Sequence, residues 1–406
     1  MNPTLQLLKT LCTAGLLLAM AACGGGIGGT GSPQSGTLRI GLTDAPACGY
    51  DEVNVSIRAV QLHQVASAGE TDPGWRTVVD FGDAPRRFDL LTLTNGVIAE
   101  LGQAELPAGT YTQLRLLLAA NTPGNPRANS VKPTGGSERP LDTPSGQQTG
   151  LKLNVDIAVP EGQVADVVLD FDACRSVVRA GNSGRFLLKP VIAVLPRLSD
   201  AGSRVIGFVD PAIATGSTSV SVQQAGRVVR ATPPVTSGSG LGRFELNLLP
   251  PGVYDLVVTA PGRATAVITG VPVQAATPTL VGSASVRIAP PTSAERTIDG
   301  VVALSPPVTD NLSTVRMLQD LAGGLTVEVA ARPVDAADGS FGFALPLAAP
   351  GRAAYAASPA PITLTTDVPA AGRYRAEASA PGFATAYEQD VDLTLPVVPP
   401  LSFAIP

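Results

Sequence analysis

A Pro–Gly turn that leads into a tyrosine, and then into alternating apolar residues, occurs three times in this chain. The copies are Pro107-Ala108-Gly109-Thr110-Tyr111, Pro250-Pro251-Gly252-Val253-Tyr254 and Pro369-Ala370-Ala371-Gly372-Arg373-Tyr374. Proline fixes φ and glycine accepts φ > 0, so each copy punctuates a turn. A tyrosine two residues later opens the next strand. In β-sandwiches such a ring turns into the core and its hydroxyl reaches back to upstream backbone. Tyr111, Tyr254 and Tyr374 are therefore expected to be structural corners, with ligand stacking as the lesser alternative.

Composition agrees with a chain built from turns and strands. Gly 43 and Pro 37 are abundant among 406 residues, aromatics make up 4% and charged residues 15%. Apolar content of 44% is enough for packed cores. This points to an all-β protein of two to four domains. The net charge of −5 is mild and no basic stripe interleaves with aromatics, so nucleic acid is not expected as a partner.

The N-terminus reads as a targeting segment. Lys9 supplies positive charge and the apolar run Leu11–Met20 is too short to span a bilayer. It ends in Leu18-Ala19-Met20-Ala21-Ala22-Cys23, which resembles the lipobox of bacterial lipoproteins, with Met20 where leucine is commoner. The resemblance implies a signal peptide over 1–22, lipidation of Cys23 and a membrane partner held through that lipid. Gly24 after the cysteine implies sorting to the outer membrane of the cell envelope. Residues 23–36 then form a lipidated cysteine and a Gly/Ser-rich tether. Of the four cysteines, Cys12 leaves with the signal and Cys23 is acylated, so Cys48 and Cys174 remain in an oxidising compartment. One disulfide between them is the expectation, and two free thiols the alternative.

Residues 37–198 carry strand signals at Thr37–Thr43, Val53–Val65, Trp75–Phe81, Arg86–Leu93, Thr112–Ala119, Leu151–Ile157, Val164–Phe171 and Arg185–Leu195. The second run changes phase, and a bulge near Ala59 would keep one face buried. Thr134-Gly135-Gly136-Ser137 reads as a turn between two short edge strands in a solvated, partly mobile hairpin. Leu42-Thr43-Asp44-Ala45-Pro46, Leu106-Pro107-Ala108-Gly109-Thr110-Tyr111, Gly150-Leu151-Lys152-Leu153, Asp170-Phe171-Asp172-Ala173-Cys174 and Leu187-Leu188-Lys189-Pro190-Val191-Ile192 follow in order. Together they resemble a domain-of-unknown-function family of bacterial lipoproteins with a Leu-Thr-Asp-Ala-Pro opening. That likeness implies a fold and an address but no activity.

The remainder is an internal repeat, over 203–290 and 295–406. Arg204-Val205-Ile206-Gly207-Phe208-Val209 aligns with Arg296-Thr297-Ile298-Asp299-Gly300-Val301-Val302, and Gly242-Arg243-Phe244 with Gly339-Ser340-Phe341. Ala260-Pro261-Gly262-Arg263-Ala264-Thr265-Ala266 aligns with Ala380-Pro381-Gly382-Phe383-Ala384-Thr385-Ala386. The repeat settles one ambiguity. Asn311–Leu321 has helical spacing, but its counterpart Ser219–Val222 alternates, so Thr314–Leu318 is expected as a strand with Gly323-Gly324 as a hairpin turn. The second copy adds an Ala/Pro-rich segment, 348–367, with Ile362-Thr363-Leu364-Thr365 as a candidate extra strand. With Gly242-Arg243-Phe244-Glu245-Leu246 and Pro251-Gly252-Val253-Tyr254, each copy resembles the carboxypeptidase regulatory-like domain. The resemblance implies a seven-stranded, transthyretin-like sandwich; the zinc carboxypeptidase catalytic domain has no counterpart here. The fold class is thus all-β: a β-sandwich followed by two immunoglobulin/transthyretin-like β-sandwich repeats.

Catalytic chemistry is poorly provided for. His63 is the only histidine and is expected to be exposed on the polar side of its strand. No Gly-x-Ser-x-Gly elbow, zinc-ligand spacing or phosphate-cradling loop is present, and the chain is read as not an enzyme and as needing no cofactor. The sharpest site hypothesis is a Ca²⁺ site. A Cys48–Cys174 link would bring Asp44, Asp51 and Glu52 beside Asp170 and Asp172, and Asp166, Asp170 and Asp172 share a strand face. A solvated acidic rim is the plainer alternative. Trp75 is expected in core packing, with ligand contact as the alternative. The functional expectation is a non-enzymatic binding or adhesion module for a glycan or envelope protein; the alternative is a structural spacer.

Overall fold

The computed structural model describes residues 34–44, 49–144, 149–197, 203–275, 277–358, 360–383 and 386–406. The expected signal peptide, Cys23, most of the tether and Cys48 lie outside the described residues. The fold is nearly all β, arranged as three successive two-sheet units.

In the first unit a four-stranded sheet has the order Ile192–Pro196, Val164–Phe171, Ser35–Asp44, Ala99–Pro107. It faces a nine-stranded sheet built around the long strand Tyr50–His63. The first strand starts at Ser35, so it takes the end of the expected tether into the sheet. Leu38, Ile40, Leu42, Val53, Val55, Ile57, Leu114 and Leu116 are fully buried between the sheets. The expected bulge is present: the register against Gly109–Leu118 shifts between Ile57 and Ala59.

Three local expectations change. The hairpin Ser130–Pro133/Arg139–Asp142 is interior, because its strands pair with Tyr50–His63 and Arg185–Leu188. Val131 and Leu141, both fully buried, pin it there. The run Arg185–Leu195 divides into Arg185–Leu188 in one sheet and Ile192–Pro196 in the other. Pro190 falls in the gap, where no ladder donor is needed. Ala99–Pro107 is a strand that alternation does not reveal. Its buried residues, Leu101 and Leu106, are five apart, and the register shift between Ile40 and Gly41 absorbs the phase change.

The two later units share one topology. Val205–Phe208 lies between antiparallel Arg243–Leu246 and parallel Thr279–Val281; Glu295–Leu304 lies between antiparallel Ser340–Pro346 and parallel Leu401–Ile405. The opposing sheets run Arg227–Thr232, Ser219–Gln224, Gly252–Thr259, Ala266–Val273 and Leu325–Pro333, Thr314–Leu321, Arg373–Ser379, Tyr387–Asp392. Thr314–Leu321 is thus a strand, and Gly323 and Gly324 (φ 80° and 77°) make its hairpin turn. The repeat's glycines have matching causes. A Cβ on Gly207 would stand 2.3 Å from the Phe244 ring, and one on Gly300 2.4 Å from the Phe341 ring.

The segment inserted in the second repeat does not stay there. Gly351–Ala354 adds in parallel to Ala266–Val273, and Thr365–Thr366 pairs with it, so the first repeat's sheet has six strands. The extra strand is therefore mainly Gly351–Ala354; Ile362 and Leu364 are side chains packed on the first repeat's core. The repeats also share apolar surface: Val257 and Val267 of the first are buried in the core of the second.

Candidate functional site

The three tyrosine rings are buried in their cores. The hydroxyls of Tyr111 and Tyr254 donate to the carbonyls of Pro107 (2.9 Å) and Pro250 (2.7 Å). Tyr374 donates to Pro346 (2.5 Å), on the far side of the insertion, and not to its own Pro369 turn. None of the three lines the cavity that lies where the three units meet.

That cavity is a cleft of about 890 Å³. Tyr50, Asp172, Arg175 and Arg179 line it from the first unit, Thr218, Ser219 and Ser221 from the first repeat, and Glu328, Arg332 and Asp335 from the second. One wall is an ion chain. Asp172 caps the short helix Ala173–Ser176 by accepting from the Arg175 amide at 3.0 Å. Arg175 turns to Glu328, which also accepts from Arg316 Nε at 2.5 Å; Arg316 Nη1 continues to Glu377 at 2.6 Å. Arg316 also donates to the Gly226 carbonyl of the first repeat. The Gln223 amide holds both backbone groups of Glu328, donating to its carbonyl at 2.7 Å and accepting from its N–H at 2.8 Å. Residues of all three units are therefore hydrogen-bonded into one buried cluster.

Burial pushes Asp172 up to about 6, against the pull of Arg175 and with help from Asp170 and Glu328. Burial works against the charge of Arg316 too, but Glu328 and Glu377 outweigh it and raise its pKa. Other contacts lock the same junction. Arg230 pairs with Asp170 at 3.2 Å, both largely desolvated, so burial raises Asp170 and lowers Arg230 even as each partner opposes the shift. Asn95, at φ 54°, donates to Pro233 and accepts from the Glu245 amide. Lys189 donates to Thr314 at 3.1 Å, and burial lowers it to about 8.

The predicted carboxylates do not converge. Asp44 accepts from the Ala173 amide (3.0 Å), Asp51 lies 3.7 Å from Lys132, Asp170 is held by Arg230 and Asp172 is a helix cap. Asp166 pairs with Arg39 at 3.2 Å. Among the described residues no three His, Cys, Asp or Glu are placed to hold a metal ion. The Ca²⁺ expectation is corrected accordingly: arginines, a lysine and backbone donors occupy the positions where a cation would be needed.

His63 is also corrected, since it is buried. Its Nε2 meets the Pro73 carbonyl at 3.0 Å, its Nδ1 accepts from the Val65 amide at 2.9 Å, and its ring lies 5.2 Å from Trp75. Trp75 is half-buried, covered by the Arg115 guanidinium at 4.3 Å, with Nε1 donating to Gly69. The guanidinium therefore already takes one face of the ring. Cys174 lines the cleft and is disulfide-bonded; Cys48, its expected partner, lies outside the described residues.

Sequence reasoning missed Arg175, Arg316, Glu328, Glu377 and Arg332. A weak signal existed. Arg316 interrupts an apolar strand on its outward side, and Ser221 and Gln223 sit at the outward positions of the counterpart strand. Buried polar residues on a sheet's outer face point to a second covering surface.

Residues 35–190 match the model of a family described as "Domain of unknown function (DUF4382)". No curated protein matches the chain. Among solved structures, the chain is similar to a streptococcal ancillary pilin (9% identity, 92% of this chain and 99% of that one, TM-score 0.18). It is also similar to the pilus adhesin SpaC from Lactobacillus rhamnosus GG (9%, 88% and 38%, TM-score 0.15). A third is a putative cell adhesion protein from Parabacteroides distasonis ATCC 8503 (10%, 89% and 85%, TM-score 0.14). Likenesses this slight carry no functional reading.

Proposed function

We propose that the chain is a non-enzymatic binding module of the cell envelope, lipid-anchored at Cys23 in the outer membrane, whose ligand seat is the three-unit cleft. The observation that carries this is the size and lining of the cleft. About 890 Å³ is the scale of a small-ligand site, and polar groups from all three units converge on it. The cleft hydroxyls of Ser219 and Ser221 have no imidazole beside them, because His63 is buried elsewhere with both ring nitrogens engaged. A glycan or a segment of an envelope protein is the ligand class in view. The buried ion chain favours a second reading, a rigid spacer in which the junction serves only to fix the three units.

Ser217, exposed at the cleft, separates the two. Ser217→Trp fills the entrance without touching the ion chain. A glycan array and an envelope pull-down with wild type and this variant are the test. The binding reading expects ligands that wild type retains and the variant loses. No ligand for either protein would favour the spacer, and a ligand that the variant keeps would put binding outside the cleft.

A further inference from the structure

Two polar groups on the cleft wall are left without partners by the ion chain. The Arg332 guanidinium lies 4.7 Å over the Phe343 ring and makes no hydrogen bond or ion pair among the described residues. Its side chain is exposed at the cleft. The Tyr50 ring is fixed edge-on to Phe186 at 6.3 Å, and its hydroxyl likewise makes no hydrogen bond among the described residues. The other carboxylates near it are engaged: Asp172 and Glu328 by Arg175, and Asp335 by the Gly181 and Ala337 amides.

We infer that Arg332 and Tyr50 form a seat for a ligand carboxylate in the three-unit cleft, an inference that rests on the cleft being the ligand site. Arg332 offers a planar fork of N–H donors that matches the two oxygens of a carboxylate, and the ring of Phe343 holds that fork from behind. Tyr50 adds an O–H donor from the first unit, close enough to Arg332 for each to feel the other's charge. Burial raises its pKa, against the pull of Arg332 and Arg179, so it keeps its proton and stays a donor at neutral pH. Burial also works against the charge of Arg332, and a bound carboxylate would relieve that cost. Ser219 of the first repeat, which also lines the cleft, would meet the neutral part of the ligand. A sugar acid and an acidic peptide both carry the required group.

Isothermal titration of the full-length protein in detergent tests this, with four probes: a uronic-acid disaccharide, its neutral parent, an N-acetylated acidic dipeptide and inorganic phosphate. Saturable binding of a carboxylate probe is expected, at least tenfold tighter than the neutral disaccharide. Whichever carboxylate binds more tightly identifies the source. Arg332→Met is expected to weaken it tenfold or more and Tyr50→Phe several-fold. Arg332→Lys, which keeps the charge but loses the fork, is expected to fall between wild type and Arg332→Met and guards against misfolding of the methionine variant. Equal binding of the neutral and acidic disaccharides would overturn the carboxylate seat while leaving the cleft as a ligand site. No binding of either carboxylate probe, tighter binding of phosphate, or unchanged affinity in Arg332→Met would also overturn it.

Discussion

The Tyr374 hydroxyl donates to the Pro346 carbonyl at 2.5 Å across 28 residues of sequence, whereas Tyr111 and Tyr254 each reach back only four. The inserted segment leaves the second repeat after Pro346, adds a strand to its neighbour, and returns just before Tyr374. The hydroxyl therefore ties the exit of the insertion to its re-entry. Tyr374→Phe and Tyr254→Phe should each lower stability by about 1 kcal/mol, the net worth of one hydrogen bond. Urea denaturation followed by fluorescence measures this. Because Tyr374 closes an excursion, its phenylalanine variant should also speed proteolysis within 347–371, which Tyr254→Phe should not.

Why the corners were legible and the cleft was not comes down to the range of the interactions. A Pro–Gly turn and the tyrosine after it are local, and alternation fixes which way the ring points. The equivalence of Ser219–Val222 with Thr314–Leu318 carried the strand assignment across the repeat. The partners of Arg316, Glu328 and Gln223 come from separate units, and no periodicity encodes which outer face meets which. The acidic residues misled in two ways: Asp170 is held by Arg230 of the first repeat, visible only once the units dock, whereas Asp172 is taken up locally, as the cap of a short helix with Arg175 three residues on.

Glu328 holds two cations, Arg175 and Arg316, in a desolvated junction. Glu328→Ala would leave both short of a counter-charge and should cost about 3–5 kcal/mol. Replacing the chain as a set, with Arg316→Met, Glu328→Leu and Glu377→Leu, should recover most of that loss, since no unpaired charge is then left buried within the second repeat. Thermal unfolding of the two variants checks the pair of outcomes. A small effect of Glu328→Ala would mean that water enters the junction freely.

Asp172 gives the junction a pH dependence. Its folded pKa of about 6 lies above its ordinary value of 3.8, so the folded chain binds this proton more tightly than the unfolded chain. Stability from this group is therefore fully present below about 4 and falls as pH rises to about 6. Asp172→Asn keeps a side chain that caps helices well and removes the titration. Between pH 4 and pH 7 the variant should gain on wild type by at most about 3 kcal/mol, the equivalent of the shift. Denaturant midpoints of both proteins across that range provide the measurement, and parallel curves would contradict it.

The Cys48–Cys174 bridge expected from the sequence would fasten the start of the Tyr50–His63 strand to the short helix whose Arg175 opens the ion chain. Such a link would shorten the unfolded chain's freedom over about 126 residues, worth up to about 4–5 kcal/mol in the chain-entropy model. Cys48→Ser and Cys174→Ser should then lower the melting temperature equally, and the double variant should lower it no further than either single one. Peptide mapping without reductant should recover the two cysteines in one linked fragment. Additive losses in the double variant, or separate peptides, would show that the two sulfurs are not joined to each other. Because Cys174 lines the cleft, reduction should also weaken ligand binding there, and titration with and without reductant reads that directly.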